Sequence, residues 1–442
     1  MTETTVFEPL LTRDGGAVPL PGAALPWLES LRESGLARFR ELGLPNQKVE
    51  AWKYTSLRPL EKLRFVPADG AAVSVDRLPR LLPSGESGHR LVFVQGCFRA
   101  DLSSLGDLPD GVTLSGLGAA LAAEPAALEP HLGRLAPPDG QALLALNTAL
   151  MEDGLVLRIG AGVRLAMPIE VVFLGVGGDP APAYHPRNLI VLEPNSQATL
   201  VEHHASLGGE PYLSNAVTEI EIGEGAALHH YRVQEEATAA LQISTLHARL
   251  ARRAVYDGFT LTTGGRLVRN ESSIALAGEH AECHFNGAYM LRGEQHCDNT
   301  TVIDHQARET SCREVFKGVL DDKARGVFQG RIVVRPEAQK ADGHQLSRTL
   351  LLSDKAEVDT KPELKIYADD VKCSHGATSG DLDHDALFYL RSRGIPEETA
   401  RHILIEAFLA ETIKTIATEG LCPALLASVG HWLSSATERG VR

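Results

Sequence analysis

Cys373 and His375 stand two residues apart in "YADDVKCSHGATSG" (Tyr367–Gly380), with acids just before them and glycines just after. A thiolate and an imidazole are ligands for soft metals and iron–sulfur clusters. In an extended strand, side chains two apart share a face, so Val371, Cys373 and His375 project together while Lys372 and Ser374 project the other way. Two protein ligands are too few for a closed site, because zinc and iron–sulfur sites use three or four. Either the chain supplies more from elsewhere, or a second chain does, or the pair is a small buried hydrophobe beside a hydrogen-bonded histidine.

A louder grouping is His280, Cys283, His284, His296, Cys297 and Cys312. Its spacing fits no zinc pattern, and Cys283 and His284 fall on opposite faces of a strand, so it reads as structural. The pairs His203-His204 and His229-His230 also put one imidazole on each face, which suits edge or surface positions better than a shared ligand set. No GxxxxGK[ST] loop, GxGxxG unit or GxSxG elbow is present, so the chain shows no nucleotide site and no nucleophile elbow of its own.

Those residues sit in a chain of 442 residues that is 43% hydrophobic and 23% charged, enough for a sizeable core. The net charge of -14 has the wrong sign for nucleic-acid binding. No signal peptide and no apolar run of 18 or more residues is found, which predicts a cytoplasmic protein away from membranes. The six cysteines are scattered without a CxxC, the pattern of thiols or metal contacts in a reducing compartment.

Three textures follow one another. Residues 1–150 read as a mostly helical N-terminal region, with Leu28, Leu31, Leu36 and Phe39 at helical spacing. Residues 151–380 are short Val/Ile/Leu/Thr runs separated by small turns. There a polar or glycine turn followed by Ala recurs at Ala198, Ala226, Ala254 and Ala281, in steps of 28, 28 and 27 residues. Later steps, to Ala324, Ala356 and Val371, are irregular. Fixed-period strands predict a parallel β-helix, each coil stacked on the next. Residues 381–442 read as helices: an acid-capped one ending at Gly394, a second from Pro396 with Ala400, Ile403, Leu404, Ala407 and Phe408 on one face, and a third.

The block Phe316–Ile395, "FKGVLDDKARGVF…YADDVKCSHGATSGDLDHDALFYLRSRGI", resembles the signature region of the SufD family, scaffold subunits of the Suf iron–sulfur cluster assembly machinery, and "VEAWKYTSLRPL" resembles that family's N-terminal motif. Gly376 directly after the histidine sets the chain apart from the paralogous SufB family, which carries Glu there. The resemblance implies a mainly β protein: a right-handed parallel β-helix with helical domains at both ends. It implies no catalysis, a heterodimer with SufB, and docking of the ATPase SufC on the C-terminal helices around Phe388, Tyr389, Arg391 and Arg393. A homodimer is the alternative when the chain is alone. It also implies a nascent cluster at the SufB–SufD interface, with His375, and less firmly Cys373, as transient metal ligands and no cofactor tightly held by the isolated chain. The competing classes are a β-helix carbohydrate-active enzyme, disfavoured by 5% aromatics, and a stand-alone metal-binding protein using Cys283, Cys297 and Cys312.

Overall fold

In the computed structural model, residues 7–12, 19–82, 88–418 and 420–440 are described. The chain is mainly β. It winds into a parallel solenoid of about eight coils, whose strands alternate between two facing sheets of eleven strands each. One sheet runs from Val112–Gly116 to its last strand Glu357–Ile366; the other runs from His89–Val94 to its last strand Lys372–Gly380. In the second sheet Gln197 pairs with Ala227, Ala227 with Val255, Val255 with Glu282, Glu282 with Ser311, Ser311 with Asp342 and Asp342 with Lys372.

These steps of 27 to 31 residues correct the alanine repeat at two points. The counterpart of Ala226 is Ser196, because Ala198 itself pairs with Leu228. Ala324 and Ala356 precede strands of the opposite sheet, which is why the apparent period broke there. Six coils enter the second sheet through a left-handed corner residue: Asn195, Gly225, Arg253, His280, Glu309 and Lys340, with φ between +55° and +66°. Five of the six carry a side chain, a conformation costing on the order of 1 kcal/mol each, so the stacked coils hold these corners in place. His280 is thus a corner residue, paired to Glu309 of the next coil at 3.3 Å.

Between the sheets runs the main apolar core, in which Leu228, Tyr256, Cys283, Phe285, Phe316 and Phe328 are buried. Rings meet across coils and across the two sheets: Phe285 lies 5.9 Å from Phe316, one coil on and two positions along, and Phe316 lies 5.0 Å from Phe328 of the opposite sheet, ring to ring. Burial of each such side chain contributes about 2 kcal/mol.

The N-terminal region is clamped to the outside of the first sheet. Helix Pro26–Leu42 packs on helix Ala142–Leu150 closely enough that a Cβ at Gly35 would sit 2.9 Å from the Ala145 carbonyl oxygen. Glu219, fully buried, accepts from Arg187 Nε at 3.0 Å and Nη2 at 2.6 Å. It also accepts from the backbone N–H groups of Gly133, Leu135 and Ala136 at 2.8, 2.9 and 3.1 Å. The "EAWKYT" motif docks nearby: Arg269 lies 4.1 Å over the Trp52 ring, and Thr55 donates to Asp298 at 2.5 Å.

Helices His384–Ser392, Glu397–Ile413 and Leu421–Gly440 follow the last strand. Asp383 caps the first by accepting from the N–H groups of Asp385 and Ala386, and Gly394 ends it at φ +85°. The second helix turns inward a face only partly the one expected. Of the expected residues Ala400 is buried and Leu404 and Phe408 pack against the core, but Ile403 and Ala407 are exposed and Ile405, Leu409 and Ile413 are buried in addition. The reason is its bed: these helices do not enclose a core of their own but pack on the outer face of the second sheet, against Val201, Tyr231, Val233, Phe259 and Met290. Lys317 fastens the arrangement, donating to the Phe408 carbonyl at 2.7 Å and pairing with Glu411 at 2.5 Å.

Candidate functional site

The strands Lys372–Gly380 and Glu357–Ile366 each pair on one side only, so the last coil presents an open end. Cys373 pairs in register with Gly343, and His375 with Gln345. Cys373 faces the interior, half-buried against the main core, and burial raises its thiol above the usual range. His375 belongs to the same alternate set of the strand and is exposed. The two therefore share the inward side of the terminal strand, one sunk and one at the rim. On the opposite side, Arg313 and His344 pair with Asp342 at 2.9 and 2.8 Å, and Ser374 meets His344 Nδ1 at 2.6 Å.

Behind Cys373 runs a column of interior positions: Cys283, Cys312, Gly343, Cys373. A Cβ built on Gly343 would lie 3.5 Å from both the Cys312 and the Cys373 sulfurs. Cys312 is buried and lies 3.3 Å from His305 Nε2; burial pushes its thiol well up and the His305 imidazole down to about 4. These are unreactive neutral forms, as expected of core groups. The same column continues behind Cys283 through Tyr256 to Leu228.

Behind His375 runs the next inward column, Phe285, Glu314, Gln345, His375. Glu314 is buried and accepts from Gln345 Nε2 at 2.5 Å. Burial raises its carboxyl to about 7, against the lowering pull of Thr301 and Gln345. Sequence reading missed this pair. The signal was there: in "SCREVF" a Glu occupies the inward position between Cys312 and Phe316.

The grouping His280, Cys283, His284, His296, Cys297 and Cys312 does not converge. His296 meets Thr55 outside the solenoid, whereas Cys283 and Cys312 lie within. Among the described residues no three His, Cys, Asp or Glu side chains are placed to hold a metal ion. The paired histidines need correction. His203, His204 and His230 are buried, and Glu202 accepts from His204 and His230, each at 3.0 Å, with Arg232 Nε at 3.3 Å. Although burial acts against it, His230, His204 and Arg232 together hold the Glu202 carboxyl well below its usual range. The face alternation was right, but the inward face of this coil is a polar network.

Phe388, Tyr389, Arg391 and Arg393 are all exposed on or just after the helix His384–Ser392, with Phe388 74% exposed. Arg393 stacks over the Tyr389 ring at 5.1 Å, and Arg391 pairs with Glu397 at 3.2 Å. No helix among the described residues is long and apolar enough to cross a membrane.

Residues 174–408 match the family model for the SufBD core domain of SUF system FeS cluster assembly, and residues 83–171 match the SufBD protein N-terminal region. The iron–sulfur cluster assembly protein SufD of Escherichia coli is 33% identical over 400 residues, covering 90% of this chain and 91% of that protein. A SufBD family protein of Synechocystis is 34% identical over 88% of this chain and 87% of its own length. SufD of Bacillus subtilis is 27% identical over 91% of this chain and 93% of its own. Solenoid, terminal columns and relatives agree, and the chain belongs to the SufBD family of iron–sulfur cluster assembly proteins.

Proposed function

We propose that this chain is the D-type, non-catalytic scaffold of the assembly machinery, and that its open end pairs with SufB to form the place where a nascent cluster is built. One observation carries the reading: the last strand lacks a neighbour on one side and bears His375 at its rim. Unpaired strand edges are templates for another chain. His375 is then a transient ligand, completed by groups from the partner chain, and Cys373 a lesser one, because it is half-buried among core side chains. Pairing with a second copy of itself through the same strand is the alternative when SufB is missing. The cluster is cargo, held in the complex and released when the ATPase SufC moves the interface.

SufC docking falls to the exposed Phe388, Tyr389, Arg391 and Arg393, a mixture of aromatic and arginine side chains typical of interface anchors. Removing residues 384–442 does not test this, because it would strip the helices from Val201, Tyr231 and Phe259 and expose apolar core. Point substitutions do.

The decisive experiment is His375→Ala in the reconstituted complex. Assembly and thermal stability should stay within about 0.5 kcal/mol, as for an exposed residue, while cluster formation falls sharply. Cys373→Ser should be milder. Unchanged cluster formation in His375→Ala would exclude the shared site; loss of the heterodimer would make the histidine structural.

A further inference from the structure

On the outer face of the first sheet, near its start, lies a cavity of about 210 Å³ that the assembly function leaves unused. Its floor is Thr113 and Ser115 of the strand Val112–Gly116, with Val156 and Arg158 of Leu155–Ile159. Ser115 pairs in register with Val156, and Thr113 with Arg158, so these side chains share one side of the sheet. The roof comes from the alanine-rich stretch "LGAALAAEPAAL". Helices Leu117–Ala123 and Pro125–Leu128 lay Ala119, Ala120, Ala123 and Ala127 over the floor, and methyl groups are too short to fill the gap. Leu128 and Val156 are buried at the bottom, whereas Ala119, Ala123 and Glu124 are exposed at the mouth, which gives a ligand its way in.

Two donors in this floor, Arg158 Nε and Ser115 Oγ, are buried without a protein acceptor. The Arg158 guanidinium pairs with no carboxylate among the described residues; Glu124, at the mouth, does not reach it. A guanidinium only donates, and a cation set in an apolar lining is stabilised by an anion that accepts from it. We infer that this cavity binds a small aliphatic monocarboxylic acid, its carboxylate accepting from Arg158 and Ser115 and its hydrocarbon tail lying under the alanine roof. A single cation in an otherwise apolar lining fits one negative charge on a hydrocarbon body, whereas a phosphate would leave the alanines uncovered. Glu124 at the mouth repels a second carboxylate, which favours monocarboxylic over dicarboxylic acids. The bound acid ties the two short helices to the strands beneath them, at the opposite end of the solenoid from His375. The site stands independently of the function proposed above.

Calorimetric titration of the full chain with butyrate tests it, with butyramide as the uncharged analogue and succinate as the dicarboxylate. Butyrate should bind saturably at one site, and butyramide and succinate about ten-fold more weakly or worse. Hydrogen exchange across 117–128 should slow in the butyrate-bound chain. Arg158→Met should weaken butyrate binding by about ten-fold or more. Ser115→Ala, which removes only the hydroxyl, should weaken it about three-fold and keeps the test open if Arg158→Met misfolds. No saturable butyrate binding, equal binding of butyramide, or unchanged affinity in the variants would each overturn the site. Succinate binding as tightly as butyrate would overturn the part given to Glu124.

Discussion

Glu219→Gln should free the N-terminal region from the solenoid while leaving the open end intact. The wild-type carboxylate accepts five hydrogen bonds, two from Arg187 and three from the backbone of residues 133–136. A glutamine of the same shape turns its amide N–H₂ toward some of these donors and leaves the fully buried Arg187 guanidinium without its counter-charge. Breaking one side of a buried pair costs roughly 3–5 kcal/mol. Unmet backbone donors add about 1 kcal/mol or more each. Partial relaxation and water entry offset part of this, so about 4 kcal/mol is expected, confined to one unit of the chain. Hydrogen exchange should quicken by about three orders of magnitude across 131–150, with new proteolytic cuts near Pro137 and Pro138. Coils communicate only with their neighbours, so the strand Lys372–Gly380 should keep its protection. A loss below about 1 kcal/mol, or exchange quickened equally at both ends, would refute the clamp.

Phe388→Ser combined with Tyr389→Ser should abolish co-purification of SufC without lowering the melting temperature, since both side chains are exposed; retained binding moves the docking surface elsewhere. His305, held neutral at about 4 by burial, binds fewer protons folded than unfolded between pH 6.5 and 4, so its share of stability, about 3 kcal/mol, is lost as the pH falls through that window. His305→Gln should flatten the acid limb of a pH–stability curve. Glu314 has the opposite sign: raised from 4.5 to about 7, it keeps an extra proton in the folded chain and costs stability as the pH rises through that range, so Glu314→Gln should gain up to about 3 kcal/mol at pH 8. Lys317→Met should loosen helix Glu397–Ile413, seen as faster exchange there with the sheet unaffected.

Much of this was legible because a solenoid repeats itself. Polar corners at near-constant spacing, the alternation that puts Cys373 and His375 on one side, and the acid cap at Asp383 are local signals, and local signals survive in a sequence. What escaped was set by stacking between coils. Only register shows that His204 and His230 meet on Glu202, which from the chain alone looked like surface pairs. Only the outer face of the second sheet decides that Ile405 and Leu409, not Ile403 and Ala407, turn inward. Glu314 was overlooked for a related reason: a charged residue between Cys312 and Phe316 is conspicuous only once both are known to point inward.

The two ends of the solenoid differ in a way that governs how many copies can join. At the start, His89–Val94 is folded over by the antiparallel strands Cys97–Phe98 and Ser104–Leu105, and Val112–Gly116 runs antiparallel to Leu155–Ile159 before entering helix Leu117–Ala123. That end stops in antiparallel strands of five and two residues, although Val112–Gly116 too pairs on one side only, whereas the other stops in parallel strands of ten and nine residues. The long parallel edges thus lie at one end alone, and molecules that add strands only there exhaust each other's capacity in a pair. A solenoid with long edges at both ends would propagate into fibres. Trimming the chain back past Leu155–Ile159 would make it bivalent, and the expected product is a polymer whose length rises with concentration.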